Sequence, residues 1–332
     1  MQELRGLEMT MILGEGHYKY EPVPDWAKLP IGLELGDVAG IAVDDKDRVY
    51  LFNRGTTPVV VLSQSGELLS TWGRGIFENP HGASIGPDQC IYLTDNFDHT
   101  VRKFTLEGQL LLEIGTANVS SGFMSGKPFC KCTHSAVSPS GEIFVSDGYH
   151  NACIHKFDPN GKLLKSWGTP GTGQGEFNLP HNICCDADGW IYVADRENSR
   201  VQIFDENGRY ETQINNMHRP SGLAITPGSC PDCIVGELAS YLEINHNFPN
   251  LGPFVSMLDQ QSNLISRLNA GSGPGLGPGQ FLSPHSIAYD SMGDLYVGDV
   301  VDADWAKVIR DKEKPAQPRR FQKLKKVNSS AI

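Results

Sequence analysis

Three histidines share one local setting. His81 stands in "NPHG", His181 in "LPHN" and His285 in "SPHS", each directly after a proline. Each also lies ten residues before an apolar residue followed by tyrosine: Ile91, Ile191 and Leu295. Neutral imidazole is a common zinc ligand, and three of them with room for one further ligand make a catalytic-type site. The competing reading is that "PH" is only a strand-entry turn copied by duplication. Duplication alone would more simply put histidine in every copy, and the copies between these three carry small residues instead. Whether the three imidazoles can meet depends on the elements that carry them.

Those elements repeat. "VYLFN" at Val49, "IYLTD" at Ile91, "IFVSD" at Ile143, "IYVAD" at Ile191 and "LYVGD" at Leu295 each open the second strand of a unit. A strand of the "GIAV" or "NICC" type precedes each, and most are followed by a third such as "VVVL" or "VQIF". Turns of the "PNGK" and "ENGR" kind come next, with hairpin chemistry. A further unit, "RPSGLAITPGSCPDCIVGELAS", is fifth in chain order and carries an insertion. Six four-stranded units predict an all-β, six-bladed β-propeller; a right-handed solenoid is the rival, with shorter repeats. The last unit takes "RRFQKL" as its third strand and then runs out, while the N-terminus has a surplus strand in "HYKYEPVPDW". That strand is expected to complete the sixth blade and close the ring. The expected organisation is a 1–15 extension, one propeller over 16–326, and a 327–332 tail.

In a propeller the first strand of every blade lines the central channel. Blades two, four and six lie 120° apart, so His81, His181 and His285 are expected to converge on the axis. The same register holds Ala39, Thr133 and Ser221 in blades one, three and five.

Composition narrows the partners. The chain has 332 residues, 36 of them glycine and 21 proline, which suits a turn-dense β fold. A net charge of −11 argues against non-specific binding to nucleic acid or an anionic membrane. The basic "PRRFQKLKKVNSS" is a local exception, read as a solvated end. No run of 18 apolar residues exists, and "MQELRGLEMTMILGEG" lacks the plan of an export signal, so a cytoplasmic protein is expected. The eight cysteines form no regular framework, and reduced thiols are the default. "CPDC" at Cys230 to Cys233 has no second CxxC to complete a zinc knuckle.

A second register carries acids: Asp95, Asp147, Asp195, Glu237 and Asp299. Such carboxylates ordinarily bond turn amides of their own blade. Blade one departs with Asn53 followed by Arg54, an anchor for a carboxylate or oxyanion at the channel rim. Tyr149, in "VSDGYHN", falls between the histidine-bearing blades two and four and fits a general base. A surface arginine and a packed aromatic are the plainer readings of these two. Arg196, in "ADREN", and His134 are weaker supporting candidates.

The repeats look like the NHL class of β-propeller. The run "FVSDGYHN…IHKFDPNGKLLKSWG…GQGEFNLPHN…IYVADRENSRVQIF" closely resembles the catalytic core of the peptidyl-α-hydroxyglycine α-amidating lyases. The resemblance extends from about Leu35 to Asp299. It implies a zinc ion on His81, His181 and His285, a catalytic Tyr149, and active-site arginines at Arg54 and Arg196. It also implies a structural calcium on the carbonyls of Ile41 and Ala83 and on an aspartate directly after the third histidine. That residue is Ser286 here, a methionine of the pocket wall is Ser283, and the family's disulfide partner of Cys130 is His150.

The expected activity is a zinc-dependent lyase that cleaves the C–N bond of a carbinolamide such as an N-acyl-α-hydroxyglycine, giving an amide and glyoxylate. The substrate is then a small or peptide-derived carbinolamide. Two alternatives stay open: a metal-dependent hydrolase of a small ester, lactone or amide, and a non-catalytic NHL interaction module.

Overall fold

The second strand of every blade is buried along its whole length: Val49–Asn53, Ile91–Asp95, Ile143–Asp147, Ile191–Asp195, Cys233–Glu237 and Leu295–Asp299. Both faces of these strands meet neighbouring blades, so their apolar residues run together instead of alternating. The outermost strands, such as Leu68–Trp72 and Leu163–Trp167, are largely exposed. This radial gradient of burial is the signature of six sheets set around an axis. The computed structural model describes residues 11–228, 230–245, 251–271 and 273–327. Residues 1–10 of the expected extension, 328–332 of the expected tail and 246–250 of the blade-five insertion lie outside the described residues.

Each blade is an antiparallel meander whose first strand is innermost. These inner strands are Val38–Val43, Pro80–Ile85, His134–Val137, Pro180–Cys185, Pro220–Ile225 and Pro284–Tyr289. Apolar clusters bridge adjacent blades. Tyr50 and Phe52 of blade one pack on Ala83 and Leu93 of blade two, and Phe144 of blade three packs on Ile191 and Val193 of blade four.

Ring closure follows the expected plan. Blade six takes Pro284–Tyr289, Leu295–Asp299 and Phe321–Lys326 from the end of the chain, then Tyr18–Val23 from its start. Tyr20 pairs with Lys326 and Val23 with Lys323. Leu13–Glu15 adds a short fifth strand outside Tyr18–Val23.

In blades one, four and six the turn between first and second strands is fixed by an aspartate. Asp44, Asp186 and Asp290 each accept turn amides, and each receives the hydroxyl of a second-strand tyrosine: Tyr50, Tyr192 and Tyr296. The acids of the other register hold the opposite end of each blade. Asp95 accepts the amides of Glu78 and Asn79, Asp195 that of Asn178, Glu237 that of His218, and Asp299 those of Leu282 and Ser283. Asn53 does the same in blade one, accepting from Gly36 and Gly55. These acids pin the segment that enters each inner strand, which is where the histidines sit.

Candidate metal centre

The pairing of first and second strands is interrupted at the histidine register. The ladder shifts between Pro80 and Gly82, between Pro180 and Ile183, and between Pro284 and Ser286. A bulge re-aims the residue it carries. His81, His181 and His285 are buried. One ring nitrogen of each lies within 4.8 Å of the others, and this is the one group of three or more ligating side chains among the described residues. Ring centroids stand 4.6 to 5.0 Å apart.

Each imidazole is oriented by the next blade. His81 Nδ1 lies 2.6 Å from the Thr133 carbonyl, His181 Nδ1 3.0 Å from that of Ser221, and His285 Nδ1 2.9 Å from that of Ala39. A carbonyl only accepts, so each Nδ1 carries the hydrogen and each Nε2 keeps a lone pair. The residues at this register in the intervening blades therefore have a role: their backbone carbonyls set the tautomer of the three histidines, as carbonyl acceptors do for histidines at metal sites.

Tyr149 closes the group. Its hydroxyl is 2.9 Å from His81 Nε2 and 3.2 Å from His181 Nε2. Gly148 lets it come this close, since a Cβ there would stand 1.9 Å from the Pro180 carbonyl. One hydroxyl hydrogen serves one lone pair, so Tyr149 can satisfy only one of the two Nε2 atoms it reaches. A buried cluster of lone pairs in excess of donors fits a bound cation.

The electrostatics agree. Burial first, then His285 and Arg54, hold the His81 imidazole well below its ordinary range. His181 is pushed the same way by burial, His285 and Arg196. Burial and the charge of Arg54 bring His285 down to about 3. Three neutral imidazoles need no deprotonation before taking a metal.

Both expected arginines stand at this site. Arg54 donates its Nε to the Pro80 carbonyl and has Asp37 3.6 Å away. The Arg196 guanidinium lies 5.7 Å from the centre of the Tyr149 ring. Its Nε donates to Glu197, which also pairs with Arg219. Asp37 and Glu197 were not read from the sequence. Both sit in entry segments or turns where the repeat has no fixed acid.

His134 stands outside the trio. It is buried, its Nδ1 has no partner, and the carbonyls of Ala83, Ile183 and Ser135 lie beside its ring. A Cβ on Gly82 would stand 2.8 Å from that ring, so glycine gives it room. The calcium arrangement implied by resemblance lacks its carboxylate here: Ser286 stands in the place of the aspartate, and its hydroxyl accepts the Ile41 amide at 2.8 Å. Calcium needs several oxygen ligands, carboxylates among them.

Burial depresses the His134 imidazole from 6.5 to about 4. The unfolded chain takes up that proton below about 6.5, while the native state refuses it until about 4. The stability so contributed is full above 6.5 and lost as pH falls through that window. Metal-free protein is expected to show about 3 kcal/mol of this loss, and His134→Gln to lack it, as chemical denaturation at pH 7 and pH 4 would read. Equal pH slopes for the two proteins would contradict this.

Residues 177–204, the segment entering blade four and its first three strands, match the NHL repeat. Peptidyl-alpha-hydroxyglycine alpha-amidating lyase 1 of Drosophila melanogaster is 31% identical over 271 residues, covering 74% of this chain and 47% of the relative. The chain is an NHL-type propeller resembling the amidating lyases. Peptidyl-glycine alpha-amidating monooxygenase B of Xenopus laevis is 29% identical over 328 residues, covering 85% of this chain and 34% of the relative. The chain thus spans about a third to a half of the length of these relatives. Human NHL repeat-containing protein 3, whose name carries no activity, is 31% identical over 218 residues, 61% of this chain and 62% of the relative. A streptogramin B lyase structure shares the fold with a TM-score of 0.58 at 13% identity, covering 94% of this chain and 97% of that one. No helix among the described residues is long and apolar enough to cross a membrane.

Proposed function

We propose that this chain is a zinc-dependent lyase that splits N-acyl-α-hydroxyglycines into an amide and glyoxylate. The observation that carries the reading is the Tyr149 hydroxyl at hydrogen-bond distance from two of three convergent Nε2 atoms. The named activity of the amidating-lyase relatives supports it. His81, His181 and His285 would hold zinc, an ion that suits three imidazoles and an open position, and that supplies Lewis acidity to the carbinol oxygen.

The chain's own groups carry the rest. Tyr149, as phenolate, takes the proton of the carbinol hydroxyl. The C–O bond becomes the carbonyl of glyoxylate as the C–N bond breaks, and the electron pair goes to the amide nitrogen. The Tyr149 phenol returns the proton to that nitrogen, so atoms and charge balance. Arg54 binds the substrate carboxylate. Arg196, over the Tyr149 ring, holds the phenol in place.

Arg54→Gln is expected to raise KM roughly 10- to 100-fold, the worth of a hydrogen bond to a charged group. Steady-state kinetics with an unchanged KM would remove Arg54 from carboxylate binding.

The function is tested by glyoxylate release from N-benzoyl-α-hydroxyglycine, with chelated protein and with zinc restored. Release that depends on zinc supports the lyase. A metal-free protein with no release would favour the interaction module, and water-derived oxygen in the product would favour the hydrolase.

A further inference from the structure

Glu197 sits between two arginines. Its Oε1 accepts from Arg196 Nε at 2.8 Å and from Arg219 Nη2 at 2.9 Å. Its Oε2 accepts from Arg219 Nε at 3.0 Å. The contact with Arg219 is therefore bidentate, which fixes the orientation of the carboxylate as well as its position. Among the described residues it is the one carboxylate paired with either guanidinium. Burial pushes the Glu197 carboxyl up, but Arg219 and Arg196 outweigh that and hold it below its ordinary range.

Arg219 is anchored on its far side. Its Nη1 donates to the Ala239 carbonyl at 2.7 Å, and its guanidinium lies 4.1 Å from the centre of the Tyr241 ring. The Tyr241 hydroxyl donates to Asp304 at 2.8 Å. Asp304 also accepts the hydroxyl of Ser283, two residues before His285. The chain of contacts thus runs from blade four through the blade-five insertion to blade six.

Arg196 has less to hold it. The bond from Nε to Glu197 is the one hydrogen bond its side chain makes among the described residues. The Tyr149 ring centre, 5.7 Å away, is within reach of cation–π attraction, but no hydrogen bond joins the two side chains. A long side chain gives up its rotamer freedom only where its head is tied. Here the tie is Glu197. The backbone of the same turn is pinned separately: the Arg196 and Glu197 amides donate to the carbonyls of Leu179 and Asn178, in the segment that enters His181.

We infer that Glu197 is a positioning residue: gripped by Arg219, it fixes the Arg196 guanidinium beside the Tyr149 ring. Its consequence for turnover rests on the lyase reading above; its structural part does not. The test therefore has two arms, both on zinc-loaded protein. In the first, Tyr149 is replaced by 3-fluorotyrosine and its fluorine resonance is recorded. Glu197→Gln and Arg196→Gln are each expected to move that resonance in the same direction, and the double variant to match Arg196→Gln. In the second, Glu197→Gln is expected to lower kcat on N-benzoyl-α-hydroxyglycine about 10- to 100-fold, the cost of a misplaced group, with KM within about threefold. In the Arg196→Gln background the same change should have no further effect, whereas a merely structural loss would add. Should Glu197→Gln not fold, Arg219→Lys loosens the same carboxylate with the charges kept, and the same shifts are expected. An unmoved resonance, additive effects in the double variant, or a kcat within about threefold of an active parent overturns the proposal. Absence of glyoxylate from the parent overturns the lyase reading alone, because the resonance still decides what Glu197 holds.

Discussion

His181→Ala is expected to leave the purified protein with substoichiometric metal and no glyoxylate release above background. Losing an outer-shell partner costs about 10- to 100-fold in metal affinity, and losing a ligand must cost more. Two imidazoles remain, and the alanine cannot restore the geometry of three. The variant should still fold. The Ser221 carbonyl loses its partner, a penalty of about 1–3 kcal/mol, while the six blades keep their apolar contacts. Elemental analysis beside a thermal melt in chelator separates the two effects. One metal ion per chain in this variant would show that the trio is not the site.

Tyr149→Phe should do the opposite: keep the metal and lose turnover. The phenylalanine ring preserves the edge-on contacts with His81 and His181, at centroid distances of 5.2 and 5.7 Å. Only the oxygen is removed. A general base of this kind contributes roughly 10²- to 10⁴-fold, so kcat should fall by that range with metal content unchanged. Two results would contradict the assignment. A kcat within about threefold of the parent would leave no role for the phenol as base. Loss of the metal together with activity would make the phenol a ligand instead.

The histidine trio was legible because two periodicities coincide. The repeat fixes which strand is innermost, and the ten-residue interval to "IYLTD", "IYVAD" and "LYVGD" fixes the position within it. The bulge at that position is also part of the repeat. Tyr149 and Arg54 were legible for the same reason, since Arg54 follows its second strand directly and Tyr149 comes one residue later, after Gly148. What the trio leans on was not legible. The acceptors at Thr133, Ser221 and Ala39 are backbone carbonyls, and side-chain identity says nothing about them. Glu197 joins Arg196 to Arg219 across 22 positions of chain, a pairing that depends on how two turns face each other.

The contact between His285 and the Ala39 carbonyl crosses the seam where the two ends of the chain meet. That ligand is aimed correctly only while the first and last blades are in register. An ion held by the three histidines would therefore act as a rivet: its binding energy would be available only to the closed circle, and it would oppose unzipping of Tyr18–Val23 from Phe321–Lys326. Closure of the ring and capture of such an ion would then be coupled, although Ala39 and His285 stand 246 positions apart in the sequence.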